Sequence, residues 1–248
     1  MLVVTVNCTS PHLCYHASMR FSTGRCTDLI TIGNDRFQAK LHSDHIPLPG
    51  QFMLARLWTT IYPYMNTVVF PTTIESNNFT IEIKNEDPRY HNLSPGSQVG
   101  LTGPWGQPVP LNKTTKNLLL VANKSPNKLL PFAQLALTCG MDVTFLISCV
   151  YPLESLDPRI EVHTGELKPL LEKYFDWAEQ ILMDFKPGTI IQKLLDPISS
   201  NIYVLCNLMM PCGTGACHGC TVYTKSGWKL ACKQGPFFKL SEWKLEIE

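Results

Sequence analysis

Four cysteines, Cys212, Cys217, Cys220 and Cys232, fall within 21 residues, whereas Cys8, Cys14, Cys26, Cys139, Cys149 and Cys206 are scattered along the chain. The segment reads Pro211-Cys212-Gly213-Thr214-Gly215-Ala216-Cys217-His218-Gly219-Cys220, then eleven residues, then Cys232. That spacing, C-x4-C-x2-C and a distant fourth cysteine, is the plant-type [2Fe–2S] arrangement. Four thiolates wrapping a small anionic inorganic core need a loop that curls tightly and turns backbone N–H groups inward. Gly213, Gly215 and Gly219 permit that curl, and inward amides form a nest for negative charge. Structural zinc is the alternative, but zinc modules present two short cysteine pairs, and here only Cys217 and Cys220 make one. A Rieske centre needs two histidines on one iron; His218 has no second histidine near it and is read as a spectator facing solvent or the cluster rim.

The rest of the chain must position this loop. Its 248 residues make one large domain or two small ones. Twenty-one basic against twenty acidic residues leave a net charge of +1, too little for a protein that grips nucleic-acid phosphates. No window approaches the ~20 apolar residues of a membrane span. The short apolar start, MLVVTV, lacks the basic residues and length of a secretory signal, so the expected location is the cytoplasm. There thiols stay reduced, and clustered cysteines point to metal rather than disulfides.

The first hundred residues read as short β-strands: Leu2–Val6, Phe37–Leu41 and Phe79–Ile83, with Phe79, Ile81 and Ile83 alternating onto one face. Turn signals separate them at Gly33-Asn34-Asp35, Pro49-Gly50, Ser76-Asn77-Asn78 and Pro95-Gly96, which suggests an antiparallel barrel or sandwich ending at Gly103-Pro104-Trp105-Gly106. From about Thr115 the pattern changes. Leu118–Ala122 is an apolar run suited to a parallel sheet buried on both faces. Leu129 to Cys139 reads as a helix burying Phe132, Leu135, Ala136 and Cys139, ended by Gly140. Strands over Val143–Ile147 and Ile160–His163 follow, then a helical stretch from about Leu170 to Leu182 and a strand over Ile202–Leu205. The fold class is therefore multi-domain β plus α/β. An N-terminal antiparallel β-barrel occupies residues 1–112, a parallel α/β nucleotide-binding-like unit 113–206, and a small C-terminal iron–sulfur domain 207–248.

The run Met210-Pro211-Cys212 through Cys220, with Lys229-Leu230-Ala231-Cys232-Lys233-Gln234-Gly235-Pro236-Phe237, resembles the C-terminal cluster domain of dihydroorotate dehydrogenase electron-transfer subunits, in the ferredoxin-reductase superfamily. Pro49-Gly50-Gln51-Phe52, Gly103-Pro104-Trp105-Gly106 and Pro131 look like further landmarks of that family, and the order of parts agrees. The resemblance implies a barrel that holds FAD, a cluster that relays electrons between this FAD and the FMN of a flavoprotein catalytic subunit, NAD as the usual terminal partner, and a place in pyrimidine biosynthesis. The chain departs from that pattern twice. The stretch comparable to the flavin strand, Asn66-Thr67-Val68-Val69-Phe70, lacks the family's Arg and Ser, so Arg56, Asn66, Phe70 and Gly103 stand as the FAD candidates and FAD binding is left open. The first α/β turn, Asn123-Lys124-Ser125-Pro126-Asn127-Lys128, contains no glycine, although a pyrophosphate needs close backbone approach there; this argues against NAD. Lys124 and Lys128 read as replacement phosphate contacts or, more simply, as a solvated basic loop.

Two readings follow. The first is an electron-transfer subunit with one [2Fe–2S] cluster on Cys212, Cys217, Cys220 and Cys232, working in a hetero-oligomer with a flavoprotein partner and without a complete active site of its own. The second is a structural or regulatory subunit with a zinc or vestigial cluster site. No G-x-S-x-G, H-E-x-x-H or Walker-type stretch is present. Asp157, Glu161 and His163 read as polarity at a strand edge. Trp177, Trp228 and Trp243 read as packing residues, with Trp228 and Phe237 shielding Cys232, Phe238 covering the same side, and the small Gly215 and Ala216 facing a partner.

Overall fold

A computed structural model describes residues 21–32, 36–56, 66–84, 90, 93–112, 114–123, 126–188, 195 and 201–243. The Leu2–Val6 strand, the Gly33–Asp35 turn and Lys124 lie outside them.

Seven strands form the first sheet: β1 (Phe21–Ile32), β2 (Arg36–His42), β3 (Phe52–Arg56), β4 (Thr67–Val69), β5 (Thr73–Ile74), β6 (Asn78–Lys84) and β7 (Gln98–Trp105). Their order is β4-β3-β7-β1-β2-β6-β5, and every pairing is antiparallel. The expected barrel is thus realised as an antiparallel sheet, and among the described residues β4 and β5 are its unpaired edges. In β6 the alternation holds, with Phe79, Ile81 and Ile83 all buried. β1 has no such apolar signature. Its inward positions are the small Ser22, Gly24 and Cys26, and a Cβ on Gly24 would meet Leu101 Cδ1 at 2.6 Å and the His42 carbonyl at 2.7 Å. Gly103-Pro104-Trp105, read as a turn, is instead the end of β7.

The second sheet contains β8 (Asn117–Ala122), β9 (Asp142–Ile147), β10 (Glu161–Thr164), β11 (Gln180–Met183) and β12 (Ile202–Leu205), all parallel, with β15 (Phe237–Lys239) antiparallel beside β12. The order β10-β9-β8-β11-β12-β15 reverses direction between β8 and β11, which is the switch point where doubly wound sheets open a crevice. Helices α1 (Leu130–Thr138) and α2 (Leu167–Tyr174) connect its strands. The segment after β12 carries a hairpin, β13 (Thr221–Thr224) with β14 (Gly227–Leu230), and the short α3 (Ala231–Gln234), before β15 rejoins the sheet.

Two expectations need correction. The helix expected from Leu170 to Leu182 stops at Tyr174, because Gln180–Met183 are all buried as a strand between β8 and β12; sheet packing overrides a helical pattern there. In α1 the buried side chains are Pro131, Phe132, Ala133 and Ala136, while Leu135 is half-buried and Cys139 exposed. The buried face packs against β8 and β9, and on the exposed side the Gln134 amide both donates to the Ile74 carbonyl and accepts its N–H, each at 2.9 Å. The C-terminal segment is joined to the α/β unit through β15, which extends that unit's sheet.

The two sheets are fastened by buried polar groups as well. Arg36 on β2 pairs with Glu82 on β6 at 2.6 Å, and Tyr151, in the loop after β9, donates its hydroxyl to the other Glu82 oxygen at 3.0 Å. Burial and the Glu82 charge hold the Tyr151 phenol protonated far above its ordinary range. One apolar core unites the molecule. Phe52, Leu54 and Trp105 from the first sheet meet Leu119, Val121 and Val204 from the second, and Cys220, Val222, Cys232 and Phe238 from the C-terminal segment.

Phe132 is fully buried and meets the Phe237 ring edge-on, 5.2 Å between centroids, tying α1 to β15. We expect Phe132→Ala to cost about 3–5 kcal/mol in urea unfolding. A loss below about 1 kcal/mol would show that α1 does not anchor the sheet.

Candidate metal centre

The four cysteines approach one another for backbone reasons. β13 and β14 pair Thr221 with Leu230, and the Ala231 N–H donates to the Cys220 carbonyl at 3.0 Å. That register sets the residue before the hairpin against the residues after it, so Cys220 Sγ and Cys232 Sγ stand 3.2 Å apart, both buried. The other two lie outward: Cys212 is half-buried and Cys217 exposed. The Cys217 N–H points at Cys212 Sγ, and the Gly219 N–H at Cys217 Sγ, each at 3.4 Å. The thiols therefore form an inner pair and an outer pair.

Two glycines make the loop possible. Gly213 and Gly215 have φ of +65° and +84°, the left-handed region. Space forbids a side chain as well: a Cβ on Gly213 would lie 2.4 Å from Leu54 Cδ2, and one on Gly215 would lie 2.5 Å from Lys233 Cε. His218 also has positive φ, at 58°, and is exposed, as a spectator would be.

The electrostatics differ between the pairs. At Cys212, burial opposes ionisation, but N–H groups of Cys217 and Thr214 outweigh it and bring the thiol down to about 6. At Cys232, burial first and the neighbouring Cys220 second push the thiol up to about 12. The loop thus favours the thiolate at Cys212 and opposes it at Cys232. Two irons each taking two thiolates suit such a pairwise set. A single tetrahedral zinc needs its ligands to converge on one point, and among the described residues no three Cys, His, Asp or Glu side chains do so. Two buried donors without an acceptor among the described residues, Trp105 Nε1 and Trp243 Nε1, share the core with Cys220 and Cys232. An anionic, sulfide-bearing group fits this environment.

The structure alters the expected surroundings of Cys232. Trp228 does not shield it: the indole is 72% exposed and stacks on Tyr223, centroids 4.6 Å apart. Among the described residues the hairpin is two strands wide. Phe238, expected on that side, is in the same core as Cys220 and Cys232 and edge-on to Trp243 at 5.9 Å. Phe237 is buried as expected but packs toward Phe132. Gly215 is buried beneath Lys233, leaving Ala216 as the exposed small residue.

Next to the centre a cleft of about 450 Å³ runs between the two sheets. Asn66 and Phe70 line it from the first sheet, Lys128, Leu205 and Cys206 from the second, and Met210 from the cysteine loop. Arg56 ends β3 and does not line the cleft; Gly103 is buried within β7, where a Cβ would meet Met53 Sδ at 2.9 Å. Lys128 is not the solvated residue of a basic loop. It is half-buried, donates to Asn207 Oδ1 at 3.1 Å and sits 5.0 Å from the Phe70 ring centre. The turn before it is held by Asp184, a fully buried carboxylate that accepts the Asn123 N–H at 2.7 Å. Cys206, unremarkable in sequence, lies between cleft and centre: burial first, then the nearby Cys220, raises its thiol to about 12. The Asp157, Glu161 and His163 trio is not a site. Asp157 holds Arg159 in a two-pronged ion pair, and Glu161 and His163 meet Tyr174 at the sheet edge.

This pairing of an antiparallel sheet with a parallel α/β sheet is the ferredoxin-reductase fold. The structure of an NADH-dependent reduced ferredoxin–NADP oxidoreductase superposes with a TM-score of 0.68 at 20% identity, over 88% of each chain. Phthalate dioxygenase reductase superposes at 0.56 and 14% identity, over 86% of this chain and 77% of that one. Residues 207–244, which contain all four cysteines, match the family described as the iron–sulfur cluster binding domain of dihydroorotate dehydrogenase B. Over 242 residues, 90% of this chain and 97% of the relative, the sequence is 22% identical to the electron transfer subunit of dihydroorotate dehydrogenase B (NAD(+)) from Clostridium acetobutylicum.

In protein freed of metal, alkylation of Cys212 is expected to accelerate as pH rises through about 6 and to level off above about 7, because the thiolate is the reactive form. Cys232 should stay unreactive up to pH 9. Mass spectrometry of the alkylated peptides reads both, and equal pH profiles at the two cysteines would contradict the inner–outer division.

Proposed function

We propose that this protein is the electron-transfer subunit of a dihydroorotate dehydrogenase-type complex, and that Cys212, Cys217, Cys220 and Cys232 hold a [2Fe–2S] cluster. The observation that carries this is the pairwise thiol arrangement in a glycine-bearing loop, within a segment that matches an iron–sulfur family. When bound, such a cluster supplies one-electron storage and transfer. The chain's own residues do the rest. The outer pair, Cys212 and Cys217, lies at the surface where a partner can approach, with backbone N–H groups opposing the negative charge. The inner pair faces the core, and Phe238 and Trp243 keep water from it. Exclusion of solvent and N–H donation to sulfur are the terms through which a protein sets the potential of such a group.

The reading includes FAD in the cleft beside Phe70, Lys128 and Cys206. The aromatic wall and the place of Cys206, which lines the cleft and is influenced by Cys220, support an electron route from ring to cluster. The electrons would pass to or from the flavoprotein catalytic subunit of a hetero-oligomer, in the cytoplasm, as part of pyrimidine biosynthesis. Among the described residues no helix is long and apolar enough to cross a membrane. Direct use of NAD is not part of the proposal, since Asp184 already occupies the N–H group that opens the glycine-free turn and would set a carboxylate against any phosphate there.

Anaerobically purified protein should contain iron and acid-labile sulfide in equal amounts. Cys217→Ser should abolish both, whereas Cys139→Ser, on an exposed thiol remote from the loop, should leave them unchanged. Zinc in place of iron, or full iron content in Cys217→Ser, would refute the cluster assignment. A second variant addresses the docking face: Ala216→Trp should keep the iron yet slow partner-dependent reduction at least tenfold, and an unchanged rate with full iron would place the partner elsewhere.

A further inference from the structure

Lys128 is the only basic side chain lining the cleft, and no Asp or Glu lines it among the described residues. An ammonium group carries three donors. One is accepted by Asn207 Oδ1 at 3.1 Å, and a ring face, Phe70, lies 5.0 Å away. Neither partner is charged. Burial lowers the lysine's pKa, and only the carboxylate of Asp184 acts against that. A half-buried ammonium whose hydrogen-bond and ring contacts are neutral is costly, and among the described residues no carboxylate lines the cleft to cancel its charge, Asp184 acting only through space. The cost is offset if the cleft's occupant brings a negative group.

We infer that Lys128 is a positioning residue for flavin: its ammonium, reaching across from the α/β unit, holds the negative charge of a flavin whose ring lies against Phe70. This rests on the reading of the cleft as a flavin site. The wall fits such an occupant on both counts, with Val68, Phe70 and Leu205 offering apolar surface to a ring and Lys128 a single cation at its edge. The charge has two possible sources within one ligand, the phosphates of the flavin nucleotide or the ring itself in its anionic reduced form. Lys128 is placed by α/β residues and Phe70 by the first sheet, so the contact also makes flavin binding depend on the fit between the two sheets.

The test uses the full chain with its cluster intact and compares Lys128→Met and Lys128→Arg with the unaltered protein. Anaerobic titrations with FAD and with riboflavin are followed by fluorescence quenching, the ring being tested oxidised and reduced. Lys128→Met should weaken FAD binding at least tenfold, about 1.4 kcal/mol, while Lys128→Arg stays within about threefold. Iron content should not change, and the thermal midpoint of flavin-free Lys128→Met should hold or rise, because a buried charge without a full partner has been removed. Unchanged riboflavin binding with weakened FAD assigns the contact to phosphate; equal weakening of reduced riboflavin assigns it to the ring. Flavin affinity equal to the unaltered protein overturns the inference while leaving the flavin reading in place. A lowered flavin-free midpoint together with lost iron also overturns it, by making Lys128 structural. If the unaltered protein binds neither flavin, the flavin reading fails and this inference falls with it.

Discussion

The contact between Cys220 and Cys232 organises the molecule. Two sulfurs 3.2 Å apart in an apolar core are tolerable only when both chain segments are held from outside. The β13–β14 register holds one end of the intervening segment. The other end is held where β15 pairs with β12 and the Cys206 N–H donates to the Pro236 carbonyl at 2.8 Å. The first sheet contributes as well. Leu54 presses on Gly213, the Gln107 N–H donates to the Gly235 carbonyl at 2.6 Å, and the Gln107 side chain bonds the Lys233 carbonyl at 3.0 Å. Each of the three parts of the chain therefore touches the segment that carries the cysteines.

That arrangement explains why the cleft and the centre are neighbours. The cleft opens where the sheets diverge, and the polypeptide leaving β12 runs along its floor as Cys206–Pro211 before entering the loop at Cys212. Polar fasteners hold the sheets together away from it. Glu82, bridging Arg36 and Tyr151, and Gln134, bridging Ile74, lie on the α1 side of the interface, leaving the other side free to take a ligand.

Much of this was legible in the sequence, and the exceptions share a cause. β6, β8, β9 and β12 declare themselves because their inward residues are large and apolar. β1 does not, since a close sheet–sheet approach reserves its inward positions for Ser22, Gly24 and Cys26. β11 imitates a helix because a short apolar run carries no periodicity of its own. The cysteine spacing announced the chemistry, but the division into inner and outer pairs depends on a hairpin register that spacing does not encode. Trp228 shows the limit from the other side: its size predicts burial, yet on the two-stranded hairpin it lies exposed. Lys128 reads as a loop charge until the fold swings it over Phe70.

The return of β15 to the sheet has a consequence for biosynthesis. β12 is made before the segment that pairs with it, so while the ribosome adds the intervening thirty or so residues its outer edge offers unpaired N–H and C=O groups, a known route to aggregation. Cys232 is also made late, only five residues ahead of β15. The nascent chain therefore cannot present four thiolates to an iron donor until it is nearly able to seal its own sheet. The fourth thiol and the strand that seals the sheet become available within a few residues of each other.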